Sequence, residues 1–158
     1  MAIVESLALV RKSVLLGEFS DEELVVLAAA MEEKPFRKGQ ILFEQDKPGD
    51  ALFIVLTGQV GILWRGEGKL AEKMLAVVGS GESVGEMSLV DEGPRSATGK
   101  ALEEVTAIML TRNSYDNLRQ SSPKLAIKLL LGVFKLLSKR IRAIDKNIEI
   151  ASYWLFSS

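Results

Sequence analysis

The hydrophobic positions near the start of the chain follow a helical spacing. In residues 3–16 the apolar side chains that recur at this spacing are Ile3, Leu7, Val10 and Val14. Ser20 and Glu23 then form a capping-box pattern, which predicts a second helix that begins after Ser20. The predicted buried face of that helix consists of Leu24, Leu27, Ala28 and Met31. We therefore expect N-terminal helices over residues 1–34.

After Pro35 the apolar positions occur in short runs separated by glycine. The runs are residues 40–43, 51–56, 59–64, 70–78 and 105–110. Evenly spaced short strands with turn residues between them favour a sandwich or a jelly-roll barrel. We interpret the intervening glycines, Gly39, Gly49, Gly58, Gly66 and Gly68, as turn residues only. The predicted fold is thus an antiparallel β-roll over residues 35–112, with helices before and after it.

The last part of the chain predicts C-terminal helices over residues 113–150. Ser121-Ser122-Pro123 is typical of a helix start with a serine cap. Beyond it, apolar residues repeat in steps of three and four, at Ile127, Leu130, Phe134, Leu137, Ile141, Ile144 and Ile148. Such a heptad seam predicts a homodimer through residues 127–148. A second apolar edge, Leu129, Val133 and Leu136, is available to cover the roll. The alternative is an amphipathic helix that folds back on its own roll.

Composition narrows the possible functions. The 158 residues, 47% of them hydrophobic, are enough for one domain with a real core over residues 1–158. The chain contains neither cysteine nor histidine. It therefore lacks a thiol nucleophile, the usual general base and the usual zinc ligand, so we expect neither an enzyme nor a metal protein.

Charge is distributed unevenly along the chain. Residues 1–123 carry a net charge of −6, whereas residues 124–158 carry +5. Five basic residues lie away from the heptad seam and form a stripe that we interpret as a solvated face: Lys128, Lys135, Lys139, Arg142 and Lys146. Binding to nucleic acid or an anionic membrane is the less favoured alternative, because no aromatic residues interleave them. No apolar run approaches the roughly 20 residues that cross a membrane, and the N-terminus is a poor secretion signal, so we expect a cytoplasmic protein.

Residues 84–98 contain the strongest candidate site. Gly85 allows a ligand to approach the backbone, and residues 86–89 can form one helical turn whose first amides face an anion. Arg95 can hold phosphate oxygens by two parallel bonds, and Ser96 adds a hydroxyl donor. Glu86 would repel phosphate but can accept hydrogen bonds from sugar hydroxyls. The pattern predicts a site for a phosphate and a sugar.

This stretch resembles the phosphate-binding cassette of cyclic nucleotide-binding domains, as found in catabolite activator proteins, cyclic nucleotide-dependent kinases and gated channels. Gly85-Glu86-Met87-Ser88-Leu89, four further residues and Pro94-Arg95-Ser96-Ala97 follow the cassette pattern. The resemblance implies that Arg95 and Ser96 hold the cyclic phosphate and Glu86 the ribose 2′-hydroxyl. The full implied set of ligand-binding residues is Gly85, Glu86, Met87, Ser88, Arg95, Ser96 and Ala97.

Two residues depart from the family pattern. Asp46 stands where the family often has glycine, and aspartate tolerates a left-handed turn better than most residues. Val84 stands where an aromatic residue often precedes Gly-Glu, which we expect to loosen the packing under the cassette. Neither departure removes a group that would contact the ligand.

The resemblance implies a regulatory module whose ligand, favoured as cAMP over cGMP, moves a C-terminal dimerisation helix. The preference rests on Ser96, because many cGMP-selective relatives carry threonine there. The alternative is a ligand-free dimeric scaffold in which Arg95 and Glu86 form a surface ion pair. Residues 151–158 are too short for a helix-turn-helix, so no direct DNA binding is expected of this chain. Their aromatic side chains predict packing on the roll or on a neighbouring chain.

Overall fold

The structure is a computed structural model that describes residues 2–11, 13–68 and 71–143. The heptad positions Ile144 and Ile148, the basic residue Lys146 and the aromatic tail 151–158 lie outside the described residues. The helices are α1 (Ile3–Leu9), α2 (Asp21–Ala29), α3 (Arg112–Ser121) and α4 (Pro123–Arg142), with a 3₁₀ turn at Glu86–Leu89. The strands are β1 (Glu32–Phe36), β2 (Ile41–Phe43), β3 (Ala51–Thr57), β4 (Val60–Trp64), β5 (Lys73–Val78), β6 (Ser83–Val84), β7 (Thr98–Ala101) and β8 (Val105–Thr111).

The described strands form two antiparallel sheets of four strands each. One sheet has the order β1-β8-β3-β6 and the other the order β2-β7-β4-β5. The predicted antiparallel jelly-roll class with flanking helices is confirmed, although the two sheets do not close into a continuous barrel. No helix within the described ranges is both long enough and apolar enough to span a membrane.

Strand β3 lies in the middle of the molecule and is buried on both faces. Phe53 and Val55 belong to the core between the two sheets. Leu52 and Ile54 point the other way and belong to the core between the sheet and the helices. Alternation of side chains along a strand explains this division. The sheet β1-β8-β3-β6 is therefore a central layer, with the second sheet on one side and helices on the other.

The N-terminal segment differs from the prediction. Helix α1 ends at Leu9, and the residues that follow form turns instead of continuing the helix to residue 16. Val14 is consequently 37% exposed rather than buried. Arg11 fixes the turn because its Nη2 donates to Phe19 O at 2.6 Å. The second helix begins as predicted, with Ser20 Oγ accepting from Glu23 N at 3.2 Å.

Strands β1, β6 and β7 lack the apolar runs from which the other strands were predicted. Strand β1 has the sequence Glu-Glu-Lys-Pro-Phe and lies at the edge of its sheet, where proline is tolerated. Strands β6 and β7 have two and four residues. Gly99 in β7 lies against the Phe43 ring, and a Cβ there would lie 2.6 Å from a ring atom. These strands form because their partners offer backbone hydrogen bonds, which local sequence does not reveal.

Helices α3 and α4 follow β8. Thr111 caps α3, with its Oγ1 accepting from Ser114 N at 3.1 Å. Helix α4 begins at Pro123 as predicted, but the Ser122 side chain makes no capping bond. The second apolar edge of α4 packs on the core through Leu129 and Val133. Gly132 is needed beside it, because a Cβ there would lie 2.4 Å from Leu15 O.

Two lysines of the predicted basic face, Lys128 and Lys135, form ion pairs with residues of the N-terminal segment. Lys128 Nζ donates to both carboxylate oxygens of Glu23, at 2.9 and 2.6 Å. Lys135 forms an ion pair with Glu18, and its ammonium holds the pKa of that carboxyl below its ordinary value. These contacts attach α4 to the N-terminal segment.

Candidate functional site

Gly85 introduces the cassette between β6 and the 3₁₀ turn. Its backbone is left-handed, with φ 79° and ψ 22°. A Cβ at this position would lie 2.3 Å from Arg95 Nη1 and 2.8 Å from Ala51 O. Glycine is thus required both by the backbone conformation and by the close approach of Arg95. The predicted helical turn at residues 86–89 is present as a 3₁₀ turn.

Arg95 is buried beneath the cassette, with 3% of its surface exposed. Its Nη2 donates to Ala51 O at 2.7 Å, and its guanidinium carbon lies 4.6 Å from the centre of the Phe43 ring. Gly49 borders the same space, since a Cβ there would lie 2.8 Å from Arg95 Nε. The interpretation of Gly49 as a turn residue only was therefore wrong. Its lack of a side chain makes room for Arg95.

Two hydroxyls of the cassette are buried without a hydrogen-bond partner among the described residues. They are Ser88 Oγ and Ser96 Oγ. Buried hydroxyls are normally satisfied, so each such group requires an explanation. A ligand with acceptor oxygens would supply the missing bonds. The residues present at this site therefore fit an anion with several oxygens, such as a phosphate.

A cavity of about 660 Å³ opens beside Ser96, between the β2–β3 loop and the β4–β5 hairpin. Gln45 connects these loops, with its Nε2 donating to Arg65 O at 2.8 Å and its Oε1 accepting from Arg65 N at 2.9 Å. The wall contains more carboxylates than basic groups. A phosphate is therefore expected on the Arg95 side of Ser96 rather than in this cavity.

Glu86 is almost completely buried, at 1% exposure, and is bonded on both oxygens. Ser83 Oγ donates to Glu86 Oε1 at 2.7 Å. Arg140 of α4 donates through Nη1 to Oε2 at 3.1 Å and through Nη2 to Oε1 at 3.0 Å. Arg140 Nη2 also donates to Ser83 O at 3.0 Å. A bidentate buried pair thus connects the cassette with the C-terminal helix.

Among the remaining cassette residues, Met87 O accepts from Val90 N at 3.0 Å and from Asp91 N at 2.9 Å. Ala97 is buried in the core between the sheets. Val84 is 1% exposed and belongs to the same core. Asp46 has φ 67°, which agrees with the expected left-handed turn.

Three residues that shape the site were not predicted from the sequence as site residues. They are Gly49, Arg140 and Arg112, whose guanidinium donates to Ser88 O and Gly49 O. For Arg140 a signal was available. The inner edge of α4, Leu129, Val133 and Leu136, advances in steps of four and three, and the next step of four reaches Arg140. A basic residue that continues a buried apolar edge indicates a buried partner.

The comparisons with known proteins agree with this geometry. The family model of the cyclic nucleotide-binding domain matches residues 33–122. The chain is 34% identical over 132 residues to a cyclic AMP receptor protein of Thermus thermophilus, covering 84% of this chain. It also resembles the crystal structure of a cyclic nucleotide-binding domain from Methylobacillus flagellatus, with a TM-score of 0.81 at 33% identity, covering 92% of this chain and 82% of that one. The chain belongs to the cyclic nucleotide-binding domain family.

The chain spans only part of its relatives. It covers 59% of the Thermus thermophilus protein. A CRP-like cAMP-activated global transcriptional regulator of Mycobacterium tuberculosis is 28% identical over 126 residues, which are 79% of this chain and 54% of the relative.

Proposed function

We propose that this domain binds a cyclic nucleotide, with cAMP preferred to cGMP, and couples binding to movement of α4. The proposed ligand-binding residues are Gly85, Glu86, Met87, Ser88, Arg95, Ser96 and Ala97. The observation that carries the proposal is the buried Arg95 in a cassette with two buried hydroxyls that have no hydrogen-bond partner in the described part of the chain. A cyclic phosphate would bring acceptor oxygens to Ser88 and Ser96 and a negative charge to a cation that is already held in place.

The Glu86–Arg140 pair supports the coupling to α4. A ribose 2′-hydroxyl that donates to Glu86 would compete with Arg140 for the same carboxylate oxygens. Ligand binding would then change the contact that attaches α4 to the cassette. A ligand shifts a conformational equilibrium only through such a difference in its interactions with the two states.

The exposed face of α4 supports a homodimer. The heptad residues Ile127, Phe134 and Ile141 are 58%, 59% and 51% exposed in the single chain. A second copy that packs along this face would bury these three seam residues, whereas the seam residue Leu137 packs against the core of its own chain. We include the cytoplasmic location predicted from the sequence in this proposal, and direct DNA binding is not part of it.

Calorimetric titration of cAMP and cGMP into protein cleared of copurified nucleotide tests the binding proposal. Arg95→Ala removes a charge-assisted contact and is expected to weaken binding by about ten- to a hundredfold, equivalent to about 1.5–3 kcal/mol. Arg119→Ala is the matched control, because Arg119 is exposed on α3 and pairs only loosely with Asp116, at 3.5 Å. No heat and no thermal shift with either nucleotide would contradict binding. A dimer that persists in that case would favour the scaffold alternative.

The base preference requires a separate test. The same titration is made with Ser96→Thr, which keeps the hydroxyl and adds a methyl group next to Arg95. This variant is expected to raise the affinity for cGMP relative to cAMP, because many cGMP-selective relatives carry threonine at this position. Wild-type protein that binds cGMP more tightly than cAMP would refute the preference and leave the binding proposal intact.

A further inference from the structure

Arg112 bonds to three backbone carbonyls in three segments of the site. Its Nε donates to Ser88 O at 2.8 Å, and its Nη2 donates to Asp91 O at 2.7 Å and also to Gly49 O. These carbonyls belong to the 3₁₀ turn, the cassette loop that follows it and the β2–β3 loop. A planar guanidinium with five N–H donors can bond in several directions at once, which suits it to this position better than a lysine ammonium.

The location of Arg112 is not explained by helix stability. It is the first residue of α3, and a cation near the N-terminus of a helix opposes the helix dipole. Its ion pair with Glu92 has a separation of 3.9 Å, and the Glu92 side chain is 90% exposed, so this pair contributes little. The bonds to the three carbonyls are therefore the main interaction that favours arginine here.

Two of the three residues that Arg112 contacts, Gly49 and Ser88, border the space occupied by Arg95. A Cβ on Gly49 would lie 2.4 Å from Ser88 Oγ and 2.8 Å from Arg95 Nε, so these three groups are in close proximity. Arg95 also donates to Ala51 O, two residues after Gly49. A shift of the β2–β3 loop relative to the 3₁₀ turn would change the position of the Arg95 guanidinium. Arg112 opposes that shift by bonding to both segments.

We propose that Arg112 is a positioning residue for the nucleotide site, which it keeps preorganised around Arg95 without contacting the ligand. This inference rests on the proposed function. Arg112 also provides a second connection between the cassette and the C-terminal helices, since α3 ends at Ser121 and α4 begins at Pro123. Preorganisation of a site raises affinity by reducing the ordering that binding requires.

Titration of cAMP into wild type, Arg112→Lys and Arg119→Lys tests the inference. Lysine keeps the positive charge but cannot span the three carbonyls, so Arg112→Lys is expected to weaken cAMP binding by about tenfold or more. Arg119→Lys makes the same chemical change at an exposed position of the same helix and should stay within about twofold of wild type. The amide NMR signals of Gly49, Ser88 and Asp91 should shift in nucleotide-free Arg112→Lys. Thermal melting is measured for each variant.

The outcomes separate the possible explanations. A merely structural role would lower the melting temperature of Arg112→Lys and leave the affinity of the folded protein unchanged, which overturns the inference. Equal losses in Arg112→Lys and Arg119→Lys would also overturn it, because they indicate a general effect. If Arg112→Lys does not fold, Arg112→Gln replaces it under the same criteria. Wild-type protein that binds neither nucleotide refutes the proposed function, and the inference fails with it.

Discussion

Glu86 and Arg140 form a buried bidentate ion pair that joins residues 54 positions apart in the sequence. The two oxygen-to-nitrogen distances are 3.1 and 3.0 Å, and Ser83 contributes both a donor and an acceptor to the group. Because Glu86 is also the proposed ribose contact, the attachment of α4 and the recognition of a ligand depend on the same carboxylate.

Arg140→Gln is expected to destabilise the protein by about 3–5 kcal/mol, because it leaves the Glu86 carboxylate buried without its charge partner. Glu86→Gln in the same background should recover a large part of the loss. Urea unfolding of the two single variants and the double variant measures the coupling energy. Additive losses would show that the two side chains do not depend on each other.

The Glu86–Arg140 pair also predicts how nucleotide binding affects the dimer formed through α4. In wild type, saturating cAMP should change the dissociation constant of the dimer, because ligand and Arg140 compete for Glu86. In Arg140→Gln the nucleotide should still bind while its effect on dimerisation is largely lost. Sedimentation velocity with and without cAMP measures both. An unchanged nucleotide effect in the variant would exclude this route.

Gly49→Ala should disturb the site although Gly49 lies outside the cassette. The added methyl group would lie 2.4 Å from Ser88 Oγ and 2.8 Å from Arg95 Nε, so one of these groups must move. We expect a loss of stability of about 1–3 kcal/mol, as for overpacking, together with weaker cAMP binding. Gly79→Ala is the control, because among the residues that the structure describes its Cβ would meet only Glu82 Oε2, at 3.8 Å. Similar affinities in the two variants would contradict the close approach of Gly49.

Phe134→Glu should separate the dimer without unfolding the protein. Phe134 is 59% exposed in the single chain, so the stability of the isolated subunit should change by no more than about 0.5 kcal/mol. A carboxylate in an apolar seam would greatly weaken association. Val25→Glu is a matched control on α2, where Val25 is 56% exposed. Light scattering at micromolar concentration measures the mass of each variant in solution. Equal masses for Phe134→Glu and Val25→Glu would refute a dimer contact through Phe134.

Tyr115 connects α3 to α4, because its hydroxyl donates to Ala126 O at 3.1 Å. Burial raises the pKa of the Tyr115 phenol above its ordinary value. The stabilisation from the neutral phenol is therefore complete below a pH of about 10 and is lost as the pH rises through the raised pKa.

Tyr115→Phe should cost about 0.5–1.5 kcal/mol near neutral pH, and the difference from wild type should decrease in strong alkali. Urea unfolding at a series of pH values measures this difference, to which Tyr153 does not contribute because both proteins contain it. A difference that does not vary with pH would contradict the role of the Tyr115 hydroxyl.

The local features of the chain were predictable from the sequence. The Ser20 cap, the start of α4 at Pro123 and the 3₁₀ turn after Gly85 depend on residues within four positions of one another. The strands with apolar runs were also found. Strands β1, β6 and β7 were not found. Strand β1 is mostly polar, and β6 and β7 have only two and four residues, so none of the three carries a periodic signal and each is held in place by its partners.

The fold class, the cassette and the apolar faces of α4 were predictable from the sequence alone, because each depends on the spacing of residues along the chain. Only the tertiary structure revealed that Arg140 bonds to Glu86, that Arg112 bonds to Gly49 and Ser88, and that Gly49 makes room for Arg95. These contacts join residues that are 24 to 63 positions apart. They depend on how the sheets and helices pack, and local spacing does not determine that packing.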